Sequence, residues 1–170
     1  MAADETAATL YGKHMAALGR MLAGAAPALA AGAAPRTPQD HAGATWCARR
    51  TADDGWIDWS RPAREVWTLV RACGDPYPGA FTAHAGARLV VWEAELVGDA
   101  PYLGVAGQVQ AVEGEGALVR CGDGAHVRLR TVQVEDGPRV AAGRVLKNHA
   151  RLGVHPAELF RALQARGTGA

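Results

Sequence analysis

Apolar residues near the N-terminus recur every three or four positions, which is typical of an amphipathic helix. The apolar face comprises Leu10, His14, Leu18, Leu22 and Leu29. The spacing predicts a helix over residues 4–30, with Asp4 or Thr6 as its N-terminal cap. Pro27 should kink this helix or restart it. Because the apolar stripe is thin, the helix needs another body to cover it.

A second helix is predicted after Ser60, which is a good N-cap residue, with Pro62 in the first turn. Its apolar face comprises Val66, Leu69, Val70 and Cys73, and Gly74 follows as a stop signal. Residues 36–59, between the two helices, are predicted to form a linker. Three tryptophans in and around this linker, Trp46, Trp56 and Trp59, should dock it onto the body of the protein.

Beyond residue 79 the apolar period changes from helical spacing to two, which indicates β-strands. Five strands are predicted, at Ala80–Ala83, Arg88–Leu96, Ala106–Val112, Ala117–Cys121 and His126–Val134. The pair Asp123-Gly124 is typical of a type I′ hairpin turn. Five short strands joined by tight turns favour a small barrel, of which the OB-like form is the commonest. The predicted fold is therefore mainly β with flanking helices, an OB-like five-stranded barrel preceded by a long helix and a linker.

The C-terminal third carries two further predicted elements. Residues Val140–Asn148 should form a short helix, and Pro156–Arg166 a final helix or a flexible tail. The predicted layout is a helical segment at 1–35, the linker at 36–59, the barrel at 60–153 and a tail at 154–170.

Composition narrows the classes of protein that this chain can be. Its 170 residues are 49% hydrophobic, so a packed core is expected rather than disorder. No apolar run approaches the ~18–20 residues of a membrane span, and no signal-peptide pattern is present, so we expect a cytoplasmic protein. The cysteines (Cys47, Cys73 and Cys121) are widely spaced and should be reduced thiols, and the scattered histidines make a metal site improbable.

Charge is distributed unevenly along the chain. Residues 1–117 hold 9 Lys and Arg against 13 Asp and Glu, or −4, whereas residues 118–170 hold 9 against 4, or +5. The basic side chains of this last part include Arg120, Arg128, Arg130, Arg139, Arg144 and Lys147. Arg128 and Arg130 should point to one face of their strand, and Arg120 can join them from its neighbour. A basic face could bind a polyanion, or it could be an ordinary solvated surface.

Four segments, in the right order, resemble methionyl-tRNA formyltransferases and their relatives. They are Thr6–Leu10 with Leu29–Gly32, the run DDGWIDWSRPA at 53–63, the run LVRACGDPYPGAFT at 69–82 and CGDGA at 121–125. Together they cover roughly residues 4–152. The resemblance implies an OB-like C-terminal domain, preceded by the last helix of the family's catalytic domain.

Two branches of this family fit the sequence, and the acceptor stays open between them. One formylates methionyl-tRNA, and its barrel holds the tRNA backbone, which suits the basic C-terminal third. The other formylates amino sugars on nucleotide carriers, and Arg49, Arg50 and Asp75 resemble that branch. The implied partners are thus a tRNA or a nucleotide-sugar acceptor and a separate catalytic domain, with no membrane.

Formyl transfer from 10-formyltetrahydrofolate to an amine needs a base, an oxyanion donor and an orienting carboxylate. The resemblance implies Asn, His and Asp in these roles on an N-terminal domain, with the His in an H-x-S-L-L-P segment that has no match here. We therefore predict no catalytic residue and no folate site, and expect the chain alone to be inactive. The folate is implied only for the complete enzyme. The predicted acceptor-binding residues are Arg49, Arg50, Arg120, Arg128, Arg130 and Lys147.

Two other functions remain compatible with the sequence. The chain could be a free-standing RNA- or nucleotide-binding OB module. It could also be a non-functional remnant, in which case the exposed leucines of the first helix would cause association.

Overall fold

The computed structural model describes residues 4–98 and 100–154. The predicted first helix is confirmed as α1, Ala7–Ala30, and Thr6 rather than Asp4 caps it. The Thr6 hydroxyl accepts a hydrogen bond from the Thr9 N–H at 3.2 Å, and the Thr9 hydroxyl accepts one from the Thr6 N–H at 2.9 Å. The helix does not restart at Pro27, because the Pro27 carbonyl accepts a hydrogen bond from the Ala31 N–H.

The second helix is α2, Ala63–Cys73, and its predicted cap was wrong. The Ser60 hydroxyl donates to Asp58 at 2.6 Å instead of capping the helix. The capping carboxylate comes from Asp123, whose two oxygens each lie 3.2 Å from the Ala63 N–H. A distant turn therefore supplies the cap that the local sequence seemed to offer. The predicted linker contains a short 3₁₀ helix at Ala52–Gly55.

All five predicted strands are present, with small shifts at their ends, and a sixth short strand follows. The bounds are β1 Ala80–His84, β2 Ala87–Val97, β3 Val109–Glu113, β4 Gly116–Arg120, β5 His126–Val134 and β6 Arg139–Ala141. The strands pair antiparallel in the order β1-β2-β5-β4-β3, and β6 pairs with β5. The structure is thus a mainly antiparallel sheet with flanking helices, and the pairing order is an open path.

The predicted helix over 140–148 was only partly right. Its first residues belong to β6, and the helical part is one turn, α3, Ala142–Val145. After α3 the chain passes between the two edge strands. Within residues 149–153, backbone hydrogen bonds reach Val109 on one side, and the Gly153 N–H donates to the Ala83 carbonyl on the other. The predicted helix at 156–166 lies outside the described residues.

Two hairpin turns show how backbone sign selects turn type. The loop between β1 and β2 has positive φ at both central residues, Ala85 (51°) and Gly86 (81°), as a type I′ turn requires. The predicted type I′ turn at Asp123-Gly124 was wrong in type, because only Gly124 (87°) is positive there. The Gly124 N–H donates to the Cys121 carbonyl, which fits a three-residue loop ending in a left-handed glycine.

The core lies between the inner face of the sheet and α2. Its buried members include Leu89, Val91, Val119, Leu129 and Val132 from the strands, Val66 and Val70 from α2, and Ile57 and Trp59 from the preceding segment. The three tryptophans of the linker behave differently. Trp59 is buried and donates its indole N–H to Thr82 at 3.0 Å, whereas Trp46 is 90% exposed and docks nothing.

Helix α1 stands apart from this core. None of its residues is buried, and its contact with the body runs through its first turns, where Arg71 donates to the Glu5 carbonyl at 2.8 Å. Within the described residues, no helix is both long enough and apolar enough to cross a membrane.

Candidate functional site

Three of the predicted acceptor-binding arginines lie on one face of the sheet. The register of β4 and β5 places Arg120 opposite His126 and Leu118 opposite Arg128. Because side chains alternate along a strand, residues 126, 128 and 130 share the outer face, while Val127 and Leu129 enter the core. The structure therefore brings Arg120, Arg128 and Arg130 together, as the alternation predicted. We call these three residues the sheet-face arginines.

Each of two sheet-face arginines is matched by a glutamate from a neighbouring strand. Arg128 contacts Glu113 of β3 at 2.9 Å, and Arg130 contacts Glu95 of β2 at 2.8 Å. The hydrogen bond to Glu95 raises the pKa of Arg130. Since ion pairs at a protein surface are worth only about 0–1 kcal/mol, these arginines are held in place but can exchange partners.

The third sheet-face arginine is covered by the loop between β2 and β3. Arg120 donates to the Tyr102 carbonyl at 2.8 Å, and the Tyr102 ring meets His126 edge to face, with 6.4 Å between ring centroids. His126 is buried as a result. In the same loop Leu103 is 91% exposed. The sequence did not reveal this cover, because the loop has no apolar period.

The other three predicted site residues lie in different elements. Arg49 and Arg50 precede the 3₁₀ helix, where Arg50 donates to the Asp54 carbonyl at 3.3 Å. Arg50 also lines a cavity of about 400 Å³ together with Cys73 and Tyr77. Lys147 is exposed just after α3. No hydrogen bond or ion pair found in the described ranges joins Arg49 or Arg50 to the sheet-face arginines.

Arg139, which belongs to the basic C-terminal third, has a different role. Its guanidinium lies 3.4 Å from the centre of the Trp92 ring and forms two 2.8 Å hydrogen bonds to Asp75. The hydrogen bond from Arg139 lowers the pKa of Asp75. Arg139 therefore ties the turn after α2 to the sheet. Asp75, which resembles the sugar branch in sequence, is its partner in this tie.

The residues present do not fit the catalytic set that formyl transfer with 10-formyltetrahydrofolate requires. That set includes an asparagine, and the chain has one, Asn148. Its side-chain oxygen accepts a hydrogen bond from the Val112 N–H at 2.7 Å, which holds β3. The adjacent His149 is exposed and has a positive φ of 67°. No step of the chemistry is assigned to this chain.

The thiols are graded by burial rather than arranged as a site. Cys47 is exposed, Cys73 is half-buried and Cys121 is buried. Burial raises the pKa of Cys73, and it raises the pKa of Cys121 to about 12, with Asp123 adding to the effect. In the part of the chain that the structure describes, no group of three His, Cys, Asp or Glu side chains could hold a metal ion.

Solved structures with the same fold include HypX from Aquifex aeolicus. One variant of HypX is 21% identical, with a TM-score of 0.63 over 85% of this chain and 26% of its own. HypX in complex with tetrahydrofolic acid is 23% identical, with a TM-score of 0.55 over 72% of this chain and 21% of its own. The present chain thus spans about a quarter of the length of HypX, and at this identity the likeness concerns the fold alone.

A family model described as the formyl transferase C-terminal domain matches residues 49–150, which is more than half of the chain. The matched range holds α2, all six strands and α3. It also holds three of the four segments on which the resemblance was based. The chain therefore belongs to the family of formyl transferase C-terminal domains.

Proposed function

We propose that this chain is the acceptor-binding C-terminal portion of a 10-formyltetrahydrofolate-dependent formyltransferase of the methionyl-tRNA type. The match over residues 49–150 is the observation that carries this proposal. The catalytic residues would be supplied from outside these 170 residues, and residues 1–35 would be the last helical part of that catalytic domain. The HypX complex with tetrahydrofolic acid supports a folate donor for the complete enzyme.

The same proposal includes an OB-like barrel over residues 60–153. The sheet path is open between β1 and β3, but the segment 149–153 hydrogen-bonds to residues at both edges. A connection of this kind supports closure by an irregular segment instead of by direct strand pairing.

The sheet-face arginines would hold the phosphate backbone of the acceptor. A guanidinium binds phosphate through two parallel hydrogen bonds, so an incoming phosphate can replace the Glu113 or Glu95 carboxylate that each arginine now contacts. The exposed Lys147 could add a point charge to the same task. Since the glutamates compete with the acceptor, the face should bind weakly and reversibly.

Binding of tRNA to the purified chain tests this function. We expect binding at low salt that weakens steeply as salt rises, because phosphate contacts release counterions. Arg130→Ala should weaken binding and reduce the salt slope by about 1, whereas Glu95→Gln should strengthen binding by freeing Arg130. Glu93→Gln is the matched control, because Glu93 accepts a hydrogen bond from Thr131 rather than from an arginine.

A nucleotide-linked amino sugar forms the second arm of that experiment. Binding of the sugar nucleotide that depends on Arg49 and Arg50 would move the acceptor to the other branch of the family. An affinity for tRNA that ignores both salt and the Glu95→Gln change would contradict the proposed role of the sheet face.

A further inference from the structure

Helix α1 carries an exposed apolar seam that repeats at alternating steps of four and three residues. Its members are Tyr11, Met15, Leu18, Leu22, Ala25 and Leu29. The five large side chains among them are between 48% and 65% exposed. This heptad spacing places all six on one face, as in helices that pair side by side. The described body of the protein leaves this face uncovered.

The charged residues of α1 lie on the opposite side from the seam. Lys13 and Arg20 are the formal charges of Ala7–Ala30, they are seven residues apart, and both point away from the seam. Pro27 continues the same outer line. Two such seams can therefore meet without like-charge repulsion, which is the condition that pairing with an identical helix must satisfy.

The glycines of α1 give a second, independent indication. Gly12 and Gly19 flank the seam, and a Cβ built at either position has no other atom within 4 Å. Glycine is less favourable than alanine inside a helix, and nothing in the described structure uses its small size here. Glycines beside an apolar seam do allow the backbone of a second helix to approach closely.

We propose that a second copy of this chain covers the seam, with the two α1 helices antiparallel. The seam is complementary to itself in this direction, because facing residues have numbers that sum to about forty. Tyr11 then lies opposite Leu29 of the partner subunit, and Leu18 lies opposite Leu22 of the partner subunit. Met15 lies opposite Ala25 of the partner subunit, so a large side chain meets a small one. A parallel pair would instead set Ala25 against itself and bring both bodies to the same end.

The groove at the base of α1 adds surface to this pairing. A cavity of about 430 Å³ lies between the first turns of α1 and helix α2. It is lined by Leu10, Tyr11, His14, Thr68, Ala72 and Tyr77. The antiparallel arrangement brings Leu29 of the partner subunit to Tyr11 and hence to this groove. Two helices overlapping for about 29 Å fall short of the ~1,200 Å² of a stable interface, so the groove makes up part of the difference.

This inference does not rest on the formyltransferase proposal, and its test reads association instead of acceptor binding. Sedimentation velocity of the 170-residue chain between about 1 and 100 µM should show a monomer–dimer equilibrium. Leu18→Glu should weaken the dimer at least about tenfold, because it buries two charges near the twofold axis. Arg20→Glu, on the outer side of the same helix, should leave the dimer intact. Unchanged thermal unfolding of the sheet would show that the Leu18→Glu body still folds.

A pair of glycine substitutions separates helix stability from pairing. Gly19→Leu and Gly24→Leu both raise helix propensity, and both positions have open space in the single chain. Only Gly19 flanks the seam, so Gly19→Leu should weaken the dimer about tenfold while Gly24→Leu does not.

Cysteine cross-linking in a Cys47→Ser background reports the direction of pairing. Leu18→Cys mixed with Leu22→Cys should cross-link, and Leu18→Cys alone should not. Cross-linking of Leu18→Cys alone would overturn the antiparallel arrangement. A chain that stays monomeric throughout, including one whose seam binds only an added formyltransferase catalytic domain, would overturn the second copy as the occupant.

Discussion

Helices α1 and α2 have similar apolar spacing and opposite fates. In α2, Val66 and Val70 are buried against the sheet. In α1, which is more than twice as long, no residue is buried, and Leu18 remains 48% exposed. The comparison shows that periodicity identifies the face a helix will bury but does not say where its cover comes from. For α2 the cover lies in the same chain, and for α1 we infer that it lies in another.

Truncating one leucine in each region should break the comparison most clearly. Leu129→Ala empties a site in the centre of the sheet and should lower the free energy of unfolding by about 2–5 kcal/mol. Leu18→Ala, on α1, should change it by at most about 0.5 kcal/mol in dilute solution. Urea denaturation of both variants at low micromolar concentration measures the contrast. Equal losses would mean that α1 belongs to the core.

A pair of glycines sharpens the same contrast at the level of the backbone. A Cβ at Gly122 would overlap the Ser60 carbonyl oxygen, so Gly122→Ala must displace the turn that caps α2 and should cost more than about 2 kcal/mol. Gly24→Ala in α1 meets nothing and should stabilise the helix by up to ~1 kcal/mol. Thermal unfolding followed by circular dichroism distinguishes the two. A tolerated Gly122→Ala would show that this close approach is not required.

The cap of α2 provides a smaller effect that still separates the regions. Asp123→Ala removes the carboxylate that accepts from the Ala63 N–H and should cost about 1 kcal/mol. Asp136→Ala, in the exposed turn after β5, is the matched control and should be close to neutral. The α1 cap at Thr6 should matter less to global unfolding, because α1 is outside the core. Denaturation midpoints of the three alanine variants rank these effects.

The smallest expected effect concerns the exposed tie between Asp75 and Arg139. The pKa of Asp75 is lowered from 3.8 in the folded protein, so the pair stabilises the fold above that value. The stabilisation is lost as the pH falls through the lowered pKa. Since the Asp75 side chain is largely exposed, the effect should be below about 1 kcal/mol. Asp75→Asn should remove this acid dependence, and an unchanged pH profile would contradict the role of the tie.

Local patterns predicted most of the elements and failed where distant residues decide. The change of period at residue 79 predicted five strands that are all present, because alternation follows from the pleat itself. β6 was missed because three residues are too few to show a period. Ser60 was predicted as a cap from its identity alone, but the cap is supplied by Asp123, sixty residues away.

The candidate site was predictable in part for the same reason. Alternation correctly placed Arg120, Arg128 and Arg130 on one face. It could not place Glu113 and Glu95 beside them, since that requires the register between strands. Trp46 and Trp59 have the same side chain in neighbouring segments, yet one is exposed and the other is buried. Composition alone could not separate them.

The central claim is that this chain binds an acceptor but carries no formyl-transfer chemistry of its own. The most direct test combines the purified chain with 10-formyltetrahydrofolate and methionyl-tRNA, and follows formylation of the amine. We expect no formylated product above background, although the same sample retains tRNA at low salt. Formylation by the chain alone would contradict the claim and would require a base and an oxyanion donor within these 170 residues.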